Sequence, residues 1–567
     1  MEDNHVKRVE ETITATNHRD DENTEKIEKS MSSSEMMKLS QPPIISIAEE
    51  NQIRHLTGWR LYLLTTGLCL SVFLSSLDIT IVSTSLAAIA NDFHVSDQAS
   101  WIVSSYLLTY SSFIIVWAKL SDIFGRKTFL TIALVLFLLF SGVCGGAKTL
   151  IQLIIFRAFQ GVGGAGIFAM TPAIIAEMVP SNKFAKYNAL ASSAIGISFL
   201  MGPLVGGVIS DRLSWRWIFF INLPVGTVAA VLALVSMPTN FPNHQQPLQR
   251  EHSLFRDASI RIDFPGFLLF LISSLLLVCA LQEAGTEYAW SSALVISFLT
   301  ISAVCWMLLF AWQRFIAKRQ SAREPVLPWK FLKHRVLMGA FLTALFAGVP
   351  FTAIIIEYPQ RFQVVNCASS LNAGVRLLPF SLPCALGSAL TGGLTSSLRI
   401  PPIFVVLAGT ILQTVGLALE FSVNTSLRVP APQYGYEALV GFGVGLTLTT
   451  LLSIAGFAVE GPDRAVALSG VTQLRVLGGT VGVSMVTNLL NSHVKASLAS
   501  ILPPYAVRLI LETTQAIEFL DPPTQDKVRL VFADGYKIGT GAVLGFTTLQ
   551  FLSILLMWEK TPRKIPR

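Results

Sequence analysis

The chain has 567 residues, of which 52% are hydrophobic and only 14% charged, with a formal net charge of +7 and mean hydropathy +0.58. A water-soluble protein carries roughly a quarter charged residues, so this composition excludes an ordinary soluble domain and points to the membrane. The basic balance would suit nucleic acid in a soluble chain, but membrane proteins concentrate Lys and Arg in cytoplasmic loops, so the positions of the charges decide.

Residues 1–55 are polar, rich in Glu, Asp, Ser and Thr and poor in aromatics. Such a composition cannot bury a core and predicts a disordered tail. No apolar leader opens the chain, so the first span is expected to direct its own insertion. Apolar runs then recur to the end, each of about 20 residues and able to cross roughly 30 Å of hydrocarbon. They predict spans near 60–84, 101–119, 128–147, 151–175, 187–210, 217–237 and 262–282. Further spans follow near 291–313, 337–358, 371–396, 402–422, 434–457, 465–489 and 537–558, about fourteen in all. Continuous runs of this length exclude a β-barrel, because only helices satisfy their backbone within one apolar segment. The expected fold class is an all-α polytopic membrane protein.

Within the first span, FLSSLDITIVST places Asp78 in an otherwise apolar or hydroxylic run. An intramembrane carboxyl is costly and usually faces a partner or a pathway. The plain alternative is a protonated group hydrogen-bonded to a neighbouring helix. At the turn between spans two and three, WAKLSDIFGRKTFL holds Asp122, Gly125, Arg126 and Lys127. A basic pair there is the ordinary positive-inside pattern. The acid is the unusual member, and it can hold a charge pair or a helix N-terminus that latches this side closed.

In LIIFRAFQGVGGAG, Arg157 and Gln160 are three apart and share a helix face. Arg157 is a permanent charge inside a predicted span. The glycines that follow match GxGxxG literally, but no strand precedes them and no helix starts there. They read as a close-packing face between membrane helices rather than a dinucleotide loop. SFLMGPLVGG brings Gly202, Pro203, Gly206 and Gly207 into the fifth span as a kink with a flat face. WRWIFFINLPVG reads as an interfacial aromatic belt. In the second half, Glu357, Gln413, Gln473 and Arg475 are polar groups within apolar runs and are candidates for a substrate cavity.

Basic residues cluster on one side. With the amino terminus inside, the inner loops hold Arg126, Lys127, Lys183, Lys186 and the run from Arg314 to Arg335, whereas the short outer loops hold Lys148, Arg212, Arg216, Arg361 and Arg428. An even number of spans then puts both termini in the cytoplasm and leaves 490–535 as the longest outer segment, amphipathic enough for a short surface helix. Asn424-Thr425-Ser426 is a glycosylation sequon on the outer side. Six dispersed cysteines and eight dispersed histidines form no metal or disulfide spacing, so no cofactor and no metal are expected. No nucleophile–base set converges either, and an enzyme is not expected.

These motifs, in this order, resemble the major facilitator superfamily, and within it the fourteen-span drug:proton antiporter branch that includes fungal multidrug and toxin efflux pumps. LDITIVSTSLAAIANDF (77–93) resembles that branch's first-helix motif, AKLSDIFGRK (118–127) the loop motif, and RAFQGVGGAG (157–166) the fourth-helix motif with its coupling arginine. SFLMGPLVGG (198–207) resembles the antiporter motif, and LNAGVRLLPF (371–380) and QLRVLGGTVGVS (473–484) resemble second-half segments. Ala118, Ile123 and Ser83-Thr84-Ser85 depart from the usual pattern, while Asp122, Gly125 and Arg126 are kept. GGLTSSLRIPP (392–402) is a degenerate echo of the loop motif.

The resemblance implies two six-helix bundles, 56–237 and 337–558, that rock about a central cavity. A linker, 238–336, would carry two extra helices lying between the halves, and 559–567 would be a basic cytoplasmic tail. It implies a proton-driven exporter of lipophilic drugs, toxins or secondary metabolites, working as a monomer without nucleic acid. Asp78 would exchange protons with the outside, and Arg157 and Gln160 would tune it from across the cavity. The plasma membrane is expected, with the vacuolar membrane as the alternative. A uniporter or symporter for a nutrient or chelated metal is the competing function, and a non-transporting sensor a more distant one.

Overall fold

The computed structural model describes residues 56–93, 100–238, 241, 262–285, 288–319, 323, 325–459, 463–512 and 514–559. The predicted tail 1–55 and all but the first residue of the tail 559–567 lie outside these. The first half is built from α1 (Trp59–Phe93), α2 (Ser100–Phe124), α3 (Arg126–Gly145), α4 (Leu150–Met178), α5 (Ser181–Arg212) and α6 (Asn222–Ser236). Two further helices follow, α7 (Phe264–Glu283) and α8 (Ala293–Arg319). The second half holds α9 (Arg335–Val364), α10 (Leu378–Gly392), α11 (Pro402–Ser422), α12 (Ala431–Ala458), α13 (Arg464–Leu498) and α14 (Pro522–Leu556).

Among the described residues, 13 helices are long and apolar enough to cross a membrane. The predicted span 371–396 is the one that falls short, because it is broken into Ser370–Arg376, α10 and the π-helical turn Gly393–Ser397. Pro379 stands at the start of α10 and Pro383 inside it, and neither has an N–H to give to a continuous ladder.

Several helices outrun their predicted spans. α13 and α14 are 35 residues each, so the segment expected as a loop over 490–535 contracts to 499–521. Hydropathy marks only the part of a helix that sits in hydrocarbon. α13 stops at Leu498, shortly before Pro503-Pro504, and α14 starts on Pro522-Pro523 behind the Asp521 cap, where proline suits a first helical turn. The amphipathic stretch between them forms the short helix Pro504–Glu512, whose Val507 and Ile510 pack against Val494, Leu498 and Phe532.

The two halves repeat one packing scheme. α1 packs on α5 and α6, α2 on α4, and α3 on α4; in the second half α9 packs on α13 and α14, α10 on α12, and α11 on α12. The halves meet through α5 against α10 and α2 against α13, with α4 also touching α13. α7 and α8 pack on each other, and α7 rests against both α2 and α13. α7 therefore lies along the seam where α2 meets α13. Ile132, Val135, Leu139, Ile155 and Phe159 are among the large apolar side chains left exposed, as a chain solvated by lipid requires.

Candidate functional site

Asp78 of α1 and Arg157 of α4 form an ion pair that is wholly buried, with neither residue exposed to solvent. Gln160 sits one turn beyond Arg157, and its Nε2 donates to Asp78 Oδ1 at 3.1 Å while its Oε1 accepts from Arg157 Nη1 at 2.9 Å. A third donor to the carboxylate comes from Asn222 of α6, whose Nδ2 lies 3.1 Å from Asp78 Oδ1 and 3.0 Å from Ser141 Oγ. Arg157 also donates from Nε to the Ile102 carbonyl at 3.1 Å, and its guanidinium lies 4.3 Å from the centroid of the Tyr106 ring. Its Nη2 is buried without a hydrogen-bond partner. Asp78, Arg157 and Gln160 are thus in direct contact, not facing one another across a cavity as expected. Asn222 was missed because it sits in the INLP turn of an aromatic belt. Its only sequence signal is a lone amide in an apolar run.

Two glycine motifs build this geometry. A Cβ at Gly161 would lie 2.4 Å from the Tyr106 carbonyl oxygen, and one at Gly163 would lie 2.5 Å from the Phe137 nitrogen. The GxGxxG match is therefore a packing face that draws α4 onto α2 and α3 and sets Arg157 opposite Asp78. Gly202 does the same between α5 and α1, where a Cβ would meet the Thr80 side chain. Pro203 and Leu204 of the same motif touch the second half near Gly374. Gly206 and Gly207 are buried beside them.

The loop motif closes the opposite, Gly125 end of the first half. Gly125 turns with φ +100°, and Arg126 pairs with Asp122 and with Glu177 of α4, its Nη2 2.8 Å from Glu177 Oε1. Lys127 Nζ donates to the Met237 carbonyl at 2.6 Å. These contacts stay within one half, and through them Arg126 and Lys127 clamp α2, α3, α4 and the end of α6 together. At that end Arg464 joins the halves, its guanidinium 5.6 Å from the Phe184 ring and 5.9 Å from the Phe457 ring. Glu177 escaped notice because an acid at a helix end reads as solvated. Arg126→Gln is expected to lower stability by about 3 kcal/mol, since it strands Asp122 and Glu177 as unpaired neighbours. Thermal unfolding in detergent measures this, and an unchanged midpoint would contradict it.

The four cavity candidates divide. Gln473 Oε1 accepts from the Ile115 backbone N–H at 3.3 Å, and the Arg475 guanidinium lies 5.1 Å from the Phe168 ring. Both therefore sit where the halves meet. Gln413 is instead a tie between α11 and α12, donating to Thr447 Oγ1 at 2.8 Å, and does not face the other half. Glu357 accepts from Thr487 Oγ1 at 2.9 Å and lines a small cavity inside the second half with Tyr358, Arg361 and Tyr536. Nearby, Tyr358 donates to Glu420, and Glu437 accepts from Gln433 Nε2 at 3.1 Å. Neither Glu420 nor Glu437 was singled out in the sequence, because each lies near a span end.

Aromatic rings join the ion pair to the seam. Arg157 stands over Tyr106, Tyr106 stacks on Tyr110 at 5.5 Å, Tyr110 meets Phe168 at 5.5 Å, and Phe168 faces Arg475. Phe351 continues the file to Phe199 at 5.3 Å.

A family model described as Major Facilitator Superfamily matches residues 68–483. The chain is 41% identical over 519 residues to the MFS-type transporter FPY5 of Fusarium mangiferae, covering 92% of this chain and 87% of that one. It is 31% identical to the MFS thioclapurine efflux transporter tcpA of Claviceps purpurea, over 82% of this chain and 83% of the relative. Among solved structures it is similar, with a TM-score of 0.57 and 16% identity, to an inward-facing bacterial homolog of the human lysosomal transporter Spinster, over 89% of this chain and all of that one. At that identity the likeness concerns the fold alone.

Proposed function

The chain belongs to the Major Facilitator Superfamily, and from that premise we propose that it exports lipophilic small molecules in exchange for protons by alternating access. The observation that carries this reading is the Asp78 carboxylate. Buried and unexposed, it gathers three side-chain donors from two other helices: Arg157 and Gln160 of α4, and Asn222 of α6. Such a group is a two-state element. Ionised, it holds α1, α4 and α6 together. Protonated, it leaves Arg157 without a counter-charge in a low-dielectric surrounding and favours a different arrangement of the same helices. The Tyr106–Tyr110–Phe168 file gives that change a physical route to α13, where the halves would rock.

Relatives support export over uptake. Besides tcpA, a protein of Neocamarosporium betae named Aspyridones efflux protein is 31% identical over 82% of this chain. The Gly202-Pro203 and Gly206-Gly207 motif, whose Gly202 packs closely on Thr80 of α1, supports the antiporter branch. The basic loops support placing the Gly125 end in the cytoplasm. Asn424, exposed just past the end of α11, then lies on the outer side as a glycosylation site of a plasma-membrane protein that acts as a monomer.

Proteoliposomes carrying the full chain test the coupling. With an imposed pH gradient, a neutral lipophilic dye is expected to move against its own gradient, and a protonophore is expected to stop it. Equilibration at the same rate with and without the gradient would make the protein a uniporter.

A further inference from the structure

The first and second halves each place an arginine deep in the bundle, and the two are treated differently. Arg157 has Asp78. Arg475 lies eleven residues into α13, roughly 16 Å from its start, and makes no hydrogen bond and no ion pair with any described residue. Its guanidinium faces the rings of Phe168 at 5.1 Å and Phe351 at 5.9 Å. A phenol, Tyr110, and a thiol, Cys384, are close enough to act on it electrostatically. Its backbone, meanwhile, is held rigidly: a Cβ on Gly348 of α9 would lie 1.9 Å from the Arg475 carbonyl oxygen. A permanent cation at this depth is costly without a counter-charge, and ring faces offset only part of that cost. It is partly buried and stands where α2, α4, α9 and α10 converge, at the seam through which an alternating-access substrate would pass.

We propose that Arg475 is the anion-recognising residue of the transport path, and that the exported molecules are lipophilic organic anions. The rings of Phe168, Tyr110 and Phe351 supply the apolar walls, and the guanidinium supplies the positive charge that attracts the anion. The consequence for transport rests on the export reading above. One proton entering while one anion leaves carries two positive charges inward, so an inside-negative potential would accelerate export.

Binding is tested without assuming transport, on the full chain in detergent, with tetraphenylborate and tetraphenylphosphonium. These ions have nearly the same size and hydrophobicity and opposite charge. The native protein is expected to be thermally stabilised by tetraphenylborate and not by tetraphenylphosphonium. Arg475→Gln should weaken tetraphenylborate binding about tenfold or more, because the positive charge that attracts the anion is lost, and Arg475→Lys should keep part of it. The ligand-free Arg475→Gln protein should unfold at the native temperature or above, since the variant removes an unpaired charge. Equal stabilisation by the two ions, stabilisation by neither, or tetraphenylborate binding retained in Arg475→Gln would each overturn the proposal. Because this binding is read without a pH gradient, a native protein that binds tetraphenylborate selectively but shows no gradient-driven transport would fail the export reading and leave the anion site standing.

Discussion

Asp78→Asn is expected to reduce gradient-driven export to the leak of protein-free vesicles and to remove its dependence on external pH. The amide can still receive a hydrogen bond from Asn222 or Gln160, so the helices should assemble. It cannot, however, balance Arg157, which is wholly buried. Breaking a buried pair by neutralising one partner costs about 3–5 kcal/mol, chiefly because the other charge is stranded. The double variant Asp78→Asn, Arg157→Gln should therefore recover much of the lost stability while remaining inactive. This split separates a coupling pair from a purely structural one, for which stability and export would recover together. Thermal unfolding and vesicle transport, run side by side on the three proteins, give the answer. Native-like export by Asp78→Asn would end the coupling role. A double variant no more stable than the single one would mean that the stranded charge is not what destabilises it.

Gly478→Ala should be the most damaging single-methyl change in the second half. A Cβ there would lie 1.8 Å from the Leu345 carbonyl oxygen and 2.7 Å from its carbonyl carbon, so the obstacle is backbone and cannot rotate away. α9 and α13 would have to separate, which costs about 1–3 kcal/mol by overpacking and moves Arg475, one turn earlier on the same helix. Gly545 of α14 is the control. Nothing lies within 4 Å of a Cβ built there, and Gly→Ala in an open helix position is expected to stabilise slightly. Melting temperatures that fall for Gly478→Ala and hold or rise for Gly545→Ala would bear this out. Equal shifts for the two would show that the close approach of α9 and α13 carries no energetic weight.

How much was readable beforehand depends on whether a feature belongs to one residue and its neighbours or to a meeting of helices. The spans were readable because the thickness of hydrocarbon dictates a length and a composition for any helix that crosses it. Asp78 and Arg157 were readable as a site because a charge in an apolar run needs a partner, and only a few residues can serve. The glycine runs announced close approach, though not which helix would approach. The packing of α4 on α2 and α3 decided that. Gln413 and Gln473 show where reading stops. Both are glutamines in apolar helices, yet one ties α11 to α12 and the other meets the Ile115 backbone across the seam. Asn222, Glu177 and the bare guanidinium of Arg475 likewise acquired meaning only from what faces them. Hydropathy and residue type are properties of a single segment and survive in the linear chain. Whether a charge is paired, sealed or left open to a ligand depends on the rotation and register of helices far apart in sequence, and that is settled only when the two halves pack.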